Sequence, residues 1–350
     1  MKNELFDALD QLEKEKGISK ETLIDAIEAA LITAYKKNFG SAQNVKIIID
    51  REHGGVKVFS RKEVVENMEN DLFEISLEEA KKINPNYEVA DIVEKEVTPR
   101  NFGRIAAQTA KQVVVQRIRE AERSVIYQEF VNRESEIVTG IVQRISKGIV
   151  YINLGRVEAV LLPNEQIEGE TYKQSSRIKT YIVEVKKTTK GPQIVVSRTH
   201  PGLVKRLFEL EVPEIHDGVV EIKGISREAG SRTKIAVYSS DMNIDPVGAC
   251  VGQRGSRVQN IVDELRGEKI DIIKWDEDPG KLISNSLSPS KVLKVAIDDN
   301  DKSALVVVPD YQLSLAIGKE GQNARLAAKL TGWKIDIKSE SQYQASIEEE

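Results

Sequence analysis

The sequence predicts a multidomain α+β protein: a mixed α/β head, a long linking helix, a small five-stranded β-barrel and a duplicated α/β unit. Three observations predict it. Apolar residues recur at helical spacing from Arg104 to about Arg133, long enough for one helix to leave a domain and enter the next. After Ser135 the period changes to two, through five short apolar segments separated by turn residues. Further on, "CVGQRGSRVQNIVDELRGEKIDI" and "AIGKEGQNARLAAKLTGWKIDI" align with one inserted residue and end in the same KIDI. Repeats this far apart mark a domain duplication, because solenoid units are shorter. A chain of 350 residues has room for such an arrangement at roughly 100–200 residues per domain.

The head begins with "ELFDALDQLEKEKG", whose Leu5, Leu9 and Leu12 share a helix face and whose Gly17 stops it. Ser19 then caps a second helix, "TLIDAIEAALITAYKKNFG", closed by Lys36, Lys37 and Gly40. "VKIIID", the turn "REHGG" and "VKVFS" predict a hairpin. "ISLEEAKKI" predicts a short helix with Ser76 as its cap, and "VADIVEKEV" a strand that Thr98-Pro99 ends. Between Glu63 and Glu96 eleven acids stand against three bases. In the long helix the balance reverses, with Arg104, Lys111, Arg117, Arg119 and Arg123 against Glu120, Glu122 and Glu129. Such a helix predicts a semi-rigid spacer after an acidic head.

"EIVTGIVQRI", "GIVYINLG", "VEAVLLP", "RIKTYIVEVKK" and "QIVVSR" are the five barrel strands, with turns at Lys147-Gly148 and Lys190-Gly191-Pro192. A closed barrel with that strand count is most often an OB-fold. From Lys173 to Arg206 nine bases face one acid, Glu184, so the net charge of −5 conceals segregated charge. Each charged run is either a solvated face or the surface for a partner of opposite sign. Lys186, Lys187 and Arg198 in the basic run are candidate RNA contacts. Tyr151 and Tyr181, on the second and fourth strands, are either barrel core or platforms for stacked bases.

The helix "GLVKRLFELEV" and the strands "GVVEIKGISRE" and "RTKIAVYSS" lead to the first copy of the repeat, and "KVLKVAIDDNDKSALVVVP" to the second. In both copies a G-x-x-G pair lies between two helical runs, ahead of the KIDI strand. A dinucleotide site needs G-x-G-x-x-G after a strand, and an ATP loop needs G-x-x-x-x-G-K-[ST]. Neither occurs, and no Ser or Thr follows Lys319. What remains is a loop whose missing side chains let a sugar–phosphate backbone lie against the main chain, at the positive end of the next helix. That is the KH mode of clamping a single strand. Gly252, Gln253, Arg254, Gly255, Ser256 and Arg257 form the first candidate clamp. The second comprises Gly318, Lys319, Glu320, Gly321, Gln322, Asn323 and Arg325. Glu320 opposes phosphate unless it points outward, so the first clamp is expected to be the stronger.

Other classes are excluded or disfavoured. No apolar run reaches the ~20 residues of a membrane helix, and the acidic amphipathic start is neither a signal nor a transit peptide. The single cysteine, Cys250, lies in an apolar run, suits a reducing cytosol and is expected to be core. Three scattered histidines give no metal-ligand spacing, so neither metal nor cofactor is expected. A ribonuclease would need clustered carboxylates; the one dense run in the duplicated half, Asp298 to Asp301, reads as a hairpin turn. An RNA chaperone of ribosome assembly or translation is a further alternative among non-enzymatic RNA-binding proteins.

"VTPRNFGRIAAQTAKQVVVQRIREAER", "VVSRTHPGLVKRLFELEVPEI" and "GSRTKIAVYSSDMNIDPVGACVGQRGSRVQNIVDELRGEKIDII", with the second repeat copy, resemble the NusA family of bacterial transcription elongation and termination factors. The resemblance spans nearly the whole chain. It implies an N-terminal RNA polymerase-binding domain (1–132), an S1-type OB barrel (133–200) and two tandem type II KH domains (201–276 and 277–345). It further implies binding of nascent single-stranded RNA, action in pausing, intrinsic termination and antitermination beside other Nus factors, and a cytoplasmic, monomeric protein. The phosphate-clamp role then falls on Gly252 to Gly255 and Gly318 to Gly321. Some members carry acidic C-terminal repeats that regulate RNA access. Here "SIEEE" follows soon after the last KH strand, so a short form is expected.

Overall fold

Residues 4–39, 44–50 and 55–348 are described by the structure, a computed structural model. They fall into two compact units, Met1–Val125 and Ile126–Glu350.

The first unit opens with helices α1 (Glu4–Lys16) and α2 (Lys20–Phe39). Strands β1 (Val45–Ile49), β2 (Val56–Val65) and β3 (Glu74–Ser76), helix α3 (Leu77–Ile83) and strand β4 (Ile92–Glu96) follow. The long helix α4 runs over Phe102–Val131. β2 is the centre of the sheet, antiparallel to β1 and β4 and parallel to β3. Leu23, Ile27, Leu31 and Tyr35 of α2 meet Val45, Ile47 and Ile49 of β1 and Phe102, Ala106 and Ala110 of α4 in one core. Tyr35 and Phe102 pack edge to face at 5.7 Å, a favoured aromatic geometry. Ser76 caps α3 as expected, its hydroxyl accepting from the Glu79 amide at 3.3 Å. Gly40 and most of the expected turn "REHGG" (51–54) lie outside the described residues.

Two head features differ from expectation. β2 continues past "VKVFS" to Val65, and β3 is an additional strand. Alternation does continue, since Val58, Ser60 and Val64 are all buried, but Lys62 occupies the intervening inward station and hides the period. Three-residue β3 is too short to show a period of its own.

The second unit begins with the five expected barrel strands: β5 (Ile137–Ser146), β6 (Ile149–Asn153), β7 (Glu158–Leu161), β8 (Arg177–Thr188) and β9 (Gly191–Ser197). They close in the order β5-β6-β7-β9-β8. Their inward residues, among them Val142, Ile152, Leu161, Ile182, Ile194 and Val196, form the barrel core, which Phe130 at the end of α4 caps.

Next come α5 (Pro201–Glu211), α6 (Pro213–His216), β10 (Val220–Glu228), β11 (Arg232–Ser239), α7 (Pro246–Val251), α8 (Ser256–Glu264) and β12 (Lys269–Lys274). The second copy repeats the order without a counterpart of α6, as α9 (Pro279–Ser286), β13 (Lys294–Asp298), β14 (Ser303–Val308), α10 (Leu313–Ile317), α11 (Gln322–Thr331) and β15 (Lys334–Ser339). Helix α12 (Glu340–Glu348) follows. In each copy an antiparallel hairpin receives the KIDI strand in parallel on its second strand. Apart from α6, this helix–strand–strand–helix–helix–strand order is the type II KH arrangement that the resemblance implies.

Barrel and first copy share a core. Tyr181 of β8 is 8% exposed and stacks on His200 at 4.5 Å, within the cluster that includes Leu203, Leu207 and Ile235. Gly202 makes room for it, because a Cβ there would lie 2.5 Å from the Tyr181 ring. Of the two readings left open for Tyr181, core is the correct one.

Buried ion pairs reinforce this unit. The Arg227 guanidinium forms a fork onto Glu268, both N–O distances 2.9 Å, and Thr233 and Gly230 donate to the same carboxylate at 2.6 and 2.8 Å. Burial pushes the Glu268 carboxyl up, but these donors outweigh it and hold the pKa below its ordinary 4.5. A depressed carboxyl contributes stability above the unfolded value and loses it as pH falls through the folded one. The melting temperature of the second unit should therefore be level above about pH 5 and fall progressively below pH 4.5. Glu268→Gln should melt lower but with a flatter acid limb, which thermal scans across pH 3–6 would show.

Candidate nucleic-acid interface

The first loop is shaped by the ends of two helices. Asp245 caps α7, accepting from the amides of Val247 and Gly248. α7 ends at Gly252, whose φ of +73° with ψ of −179° is a backbone region that glycine occupies readily. Arg254 (φ +51°) and Gly255 (φ +80°) are also left-handed, and α8 starts at Ser256. The second loop repeats this geometry at Gly318 (φ +78°), Glu320 (φ +54°) and Gly321 (φ +75°), ahead of α11. In both, the second glycine's amide donates to the first glycine's carbonyl at 3.2 Å.

The two glycines of each pair serve different ends. A Cβ on Gly252 would lie 2.7 Å from Cγ of Arg257, and one on Gly318 2.8 Å from the Asn323 nitrogen. The first glycine thus lets the following helix pack against the loop. Gly255 and Gly321 have open space around the missing side chain, so they leave the loop's outer surface bare.

Arg254 and Glu320 occupy the same station with the same backbone conformation, and both are exposed. The loops therefore differ by a charge reversal at one matched position. Gln253 and Ser256 are exposed as well, beside a cavity of about 540 Å³ at the first loop. Arg257 lines that cavity, but its Nη1 already donates to Glu214 at 2.9 Å and to the Ala249 carbonyl at 2.7 Å. Cys250 beneath is buried as expected, its thiol pushed up to about 12 by burial and then by Glu214, which leaves it inert.

Several predicted contacts prove to have structural partners. Asn323 is buried, and its Nδ2 donates to the carbonyls of Leu287 and Ala316, at 3.1 and 3.0 Å; it pins α11 rather than facing a ligand. Gln322 donates to Glu228 and Ser231 at 2.8 and 2.7 Å, and Arg325 binds Glu228 at 2.6 Å. Both join the second copy to the first. The Arg325 hydrogen bond, opposed by some desolvation, holds the Glu228 carboxyl below its ordinary range. Arg325 keeps half of its side chain exposed despite this pairing, and Lys319 and Glu320 are exposed beside it.

The barrel residues divide similarly. Arg198 is buried: Nε and Nη2 grip Glu170 at 3.1 and 2.6 Å, and Nη1 and Nη2 donate to the carbonyls of Lys179 and Glu264. Its assignment as an RNA contact is therefore corrected, since a charge at the end of a strand can be drawn inward by a buried carboxylate that sequence does not locate. Tyr151 is half-buried with the Arg144 guanidinium 3.5 Å over its ring. Lys186 pairs with Glu184 at 2.8 Å, and Lys187 sits 4.4 Å over Tyr127. Both lysines stay exposed, so their charge still reaches solvent.

The sequence reading does not single out Arg144, which lies over Tyr151, or Arg232 and Lys269, which lie beside the second loop. No local pattern brings β11 and β12 of one copy to the loop of the other. Among the described residues no group of three or more His, Cys, Asp or Glu could hold a metal ion. Asp298 accepts from the Asn300 amide in the β13–β14 turn, as a hairpin turn requires. No described helix is long and apolar enough to cross a membrane.

Comparison with known proteins places four family models along the chain in order. They are the NusA N-terminal domain at residues 4–124, the S1 RNA binding domain at 132–197, the NusA-like first KH domain at 198–275 and the NusA-like second KH domain at 279–345. The Halalkalibacterium halodurans protein named transcription termination/antitermination protein NusA is 65% identical over 344 residues, 98% of this chain and 90% of its own. The Bacillus subtilis protein of the same name is 64% identical over 341 residues, 97% and 92% of the two chains. A solved solution structure of the N-terminal domain of NusA from B. subtilis is 64% identical, covers 35% of this chain and 99% of its own, and has a TM-score of 0.33.

Proposed function

This chain belongs to the NusA family of transcription termination/antitermination proteins, and we propose that it ties nascent RNA to RNA polymerase without catalysing a reaction. The head (1–132) is the polymerase-binding part, and the barrel (133–200) with the two KH copies (201–276 and 277–345) is a track for single-stranded RNA. One observation supports the RNA track above others: two G-x-x-G loops of matched conformation, each with a bare outer surface ahead of a helix start. In this reading the first loop clamps phosphate through its glycine backbone with Gln253, Arg254 and Ser256, and the second through its glycines with Lys319. Tyr151, Arg144, Lys186 and Lys187 extend the track over the barrel. The protein acts in the cytoplasm as a monomer, beside other Nus factors, on pausing, termination and antitermination.

Pull-down of RNA polymerase with the full chain and with a chain lacking residues 1–132 tests the division of labour. Polymerase should be lost with the head while RNA binding stays; polymerase retained by the headless chain would refute the head's role. Incubation with single-stranded RNA, magnesium and phosphate should leave the RNA intact, and processive shortening would contradict a non-enzymatic factor. Co-purification with ribosomal subunits instead of polymerase would favour an RNA chaperone.

The matched stations of Arg254 and Glu320 give a sharper expectation. Glu320→Lys should tighten RNA binding about threefold or more, by adding one phosphate contact. Anisotropy titrations at low salt would read it, and unchanged affinity would remove Glu320 from the interface.

A further inference from the structure

We propose that the second G-x-x-G loop does not hold its phosphate alone: Arg232 and Lys269 of the first KH copy complete it, forming a composite pocket for a backbone phosphate of the bound strand. The proposal rests on the RNA-binding reading above and names residues that reading does not use.

The second loop is short of charge by itself. Lys319 and Glu320 are adjacent and cancel, whereas the first loop carries Arg254 at the station of Glu320. Gln322, Asn323 and Arg325, which would otherwise supply donors, are engaged within the protein. A phosphate at Gly318 therefore needs cations from elsewhere.

The first copy provides them. A cavity of about 380 Å³ lies between the loop, at Gly318, Lys319 and Gln322, and the first copy, at Ser231, Arg232 and Lys269. That volume is within the range of small-ligand sites. The lining contains three cations and no carboxylate. Lys269 and Lys319 are exposed and have no ion-pair partner among the described residues. Arg232 and Lys269 are register partners on the parallel strands β11 and β12, so their side chains leave the sheet on the same face. Asp271 holds Arg232 through Nε and Nη2 at 2.8 and 3.1 Å, and the buried Lys234 meets the same carboxylate at 2.9 Å. Two cations thus share one acid, which leaves the locality net positive.

The spacing across the pocket is fixed by the contacts that bridge the copies. Gln322 to Ser231 and Glu228, with Arg325 to Glu228, hold the loop of one copy against the hairpin of the other. Cations on one side and a glycine loop on the other are thereby set apart before any ligand arrives. A site arranged in advance avoids part of the ordering cost of binding.

The test uses the full chain and a short labelled single-stranded RNA over a salt series, with Lys269→Gln, Lys319→Gln, the double variant and Gly255→Asp. Lys269 is exposed at a strand start, so melting curves should match the parent. Lys269→Gln should weaken RNA binding about threefold and lower the slope of log K against log salt by about 0.7, the value for one phosphate on a single strand. The double variant should lose less than the product of the single losses, because both lysines address one phosphate. Unchanged affinity and slope in Lys269→Gln, with binding lost in Gly255→Asp, would overturn the composite pocket while leaving the RNA reading intact. A parent chain that binds no RNA would instead remove the RNA reading. Inorganic phosphate and a mononucleoside monophosphate are the second arm. Saturable binding of either, abolished by Lys269→Gln while RNA affinity is unmoved, would assign the pocket to a free phosphate and overturn the proposal for a strand.

Discussion

Arg198→Ala lowers the stability of the second unit by about 3–5 kcal/mol and leaves RNA affinity unchanged wherever the protein is still folded. The side chains of Arg198 and Glu170 are 1% and 4% exposed, so removing the guanidinium strands a carboxylate away from water. Among the described residues no other group can replace the fork. Arg266 approaches Glu170 only to 3.8 Å from a largely exposed position, and Tyr172 offers one hydroxyl. That hydroxyl is itself held protonated, its pKa pushed up by burial and then by Glu170. The carbonyls of Lys179 and Glu264 each lose a hydrogen bond as well, which adds to the cost. Arg198→Lys should recover little, because a point charge cannot make the planar two-point contact. Thermal unfolding checks the first statement and a salt series of RNA titrations the second. An unchanged melting curve with a smaller salt slope would return Arg198 to the RNA surface.

Gly255→Asp weakens RNA binding by at least about tenfold with the fold intact, since a like charge set against phosphate costs several kcal/mol. The position has φ of +80° and no atom within 4 Å of a built Cβ. Aspartate tolerates that conformation at a cost of about 1–2 kcal/mol. Its carboxylate would stand beside Arg254 on the loop's bare face. Gly252→Asp is a different experiment. Its Cβ would press on Arg257 at 2.7 Å and disturb the bonds to Glu214 and the Ala249 carbonyl. That variant should lose stability along with binding. From sequence the two glycines look interchangeable, and only Gly255 isolates the contact. Anisotropy with a parallel melting curve distinguishes the cases; full affinity in a folded Gly255→Asp would mean the strand passes elsewhere.

Legibility of the elements followed the length and regularity of their pattern. The barrel strands and both KH copies could be read because each buries one face, and a buried face repeats every two or about 3.6 residues. α4 kept the helical spacing although it buries residues only near its ends, and Val125 is 59% exposed. The apolar pattern of β2 breaks at Lys62, which occupies an inward station although the strand continues to Val65, and β3 has too few residues to show alternation. The glycine loops were legible for another reason: their backbone needs positive φ, which glycine adopts without cost, and the duplication showed the need twice.

The charged and polar side chains were legible by type alone. Arg198, Asn323, Gln322 and Arg325 look like donors for phosphate, and each has a carboxylate or carbonyl partner within the protein. Conversely, Lys269 and Arg232 lie about a domain away in sequence from the loop they flank. Chain order alone determined the order of the domains, the two glycine loops and the charge reversal between Arg254 and Glu320, since periodicity and backbone conformation are local. Which cations remain free for a ligand was decided only by the tertiary structure. An ionic partner is chosen by distance in space and by the cost of leaving a buried charge unpaired, and neither is written in the local sequence.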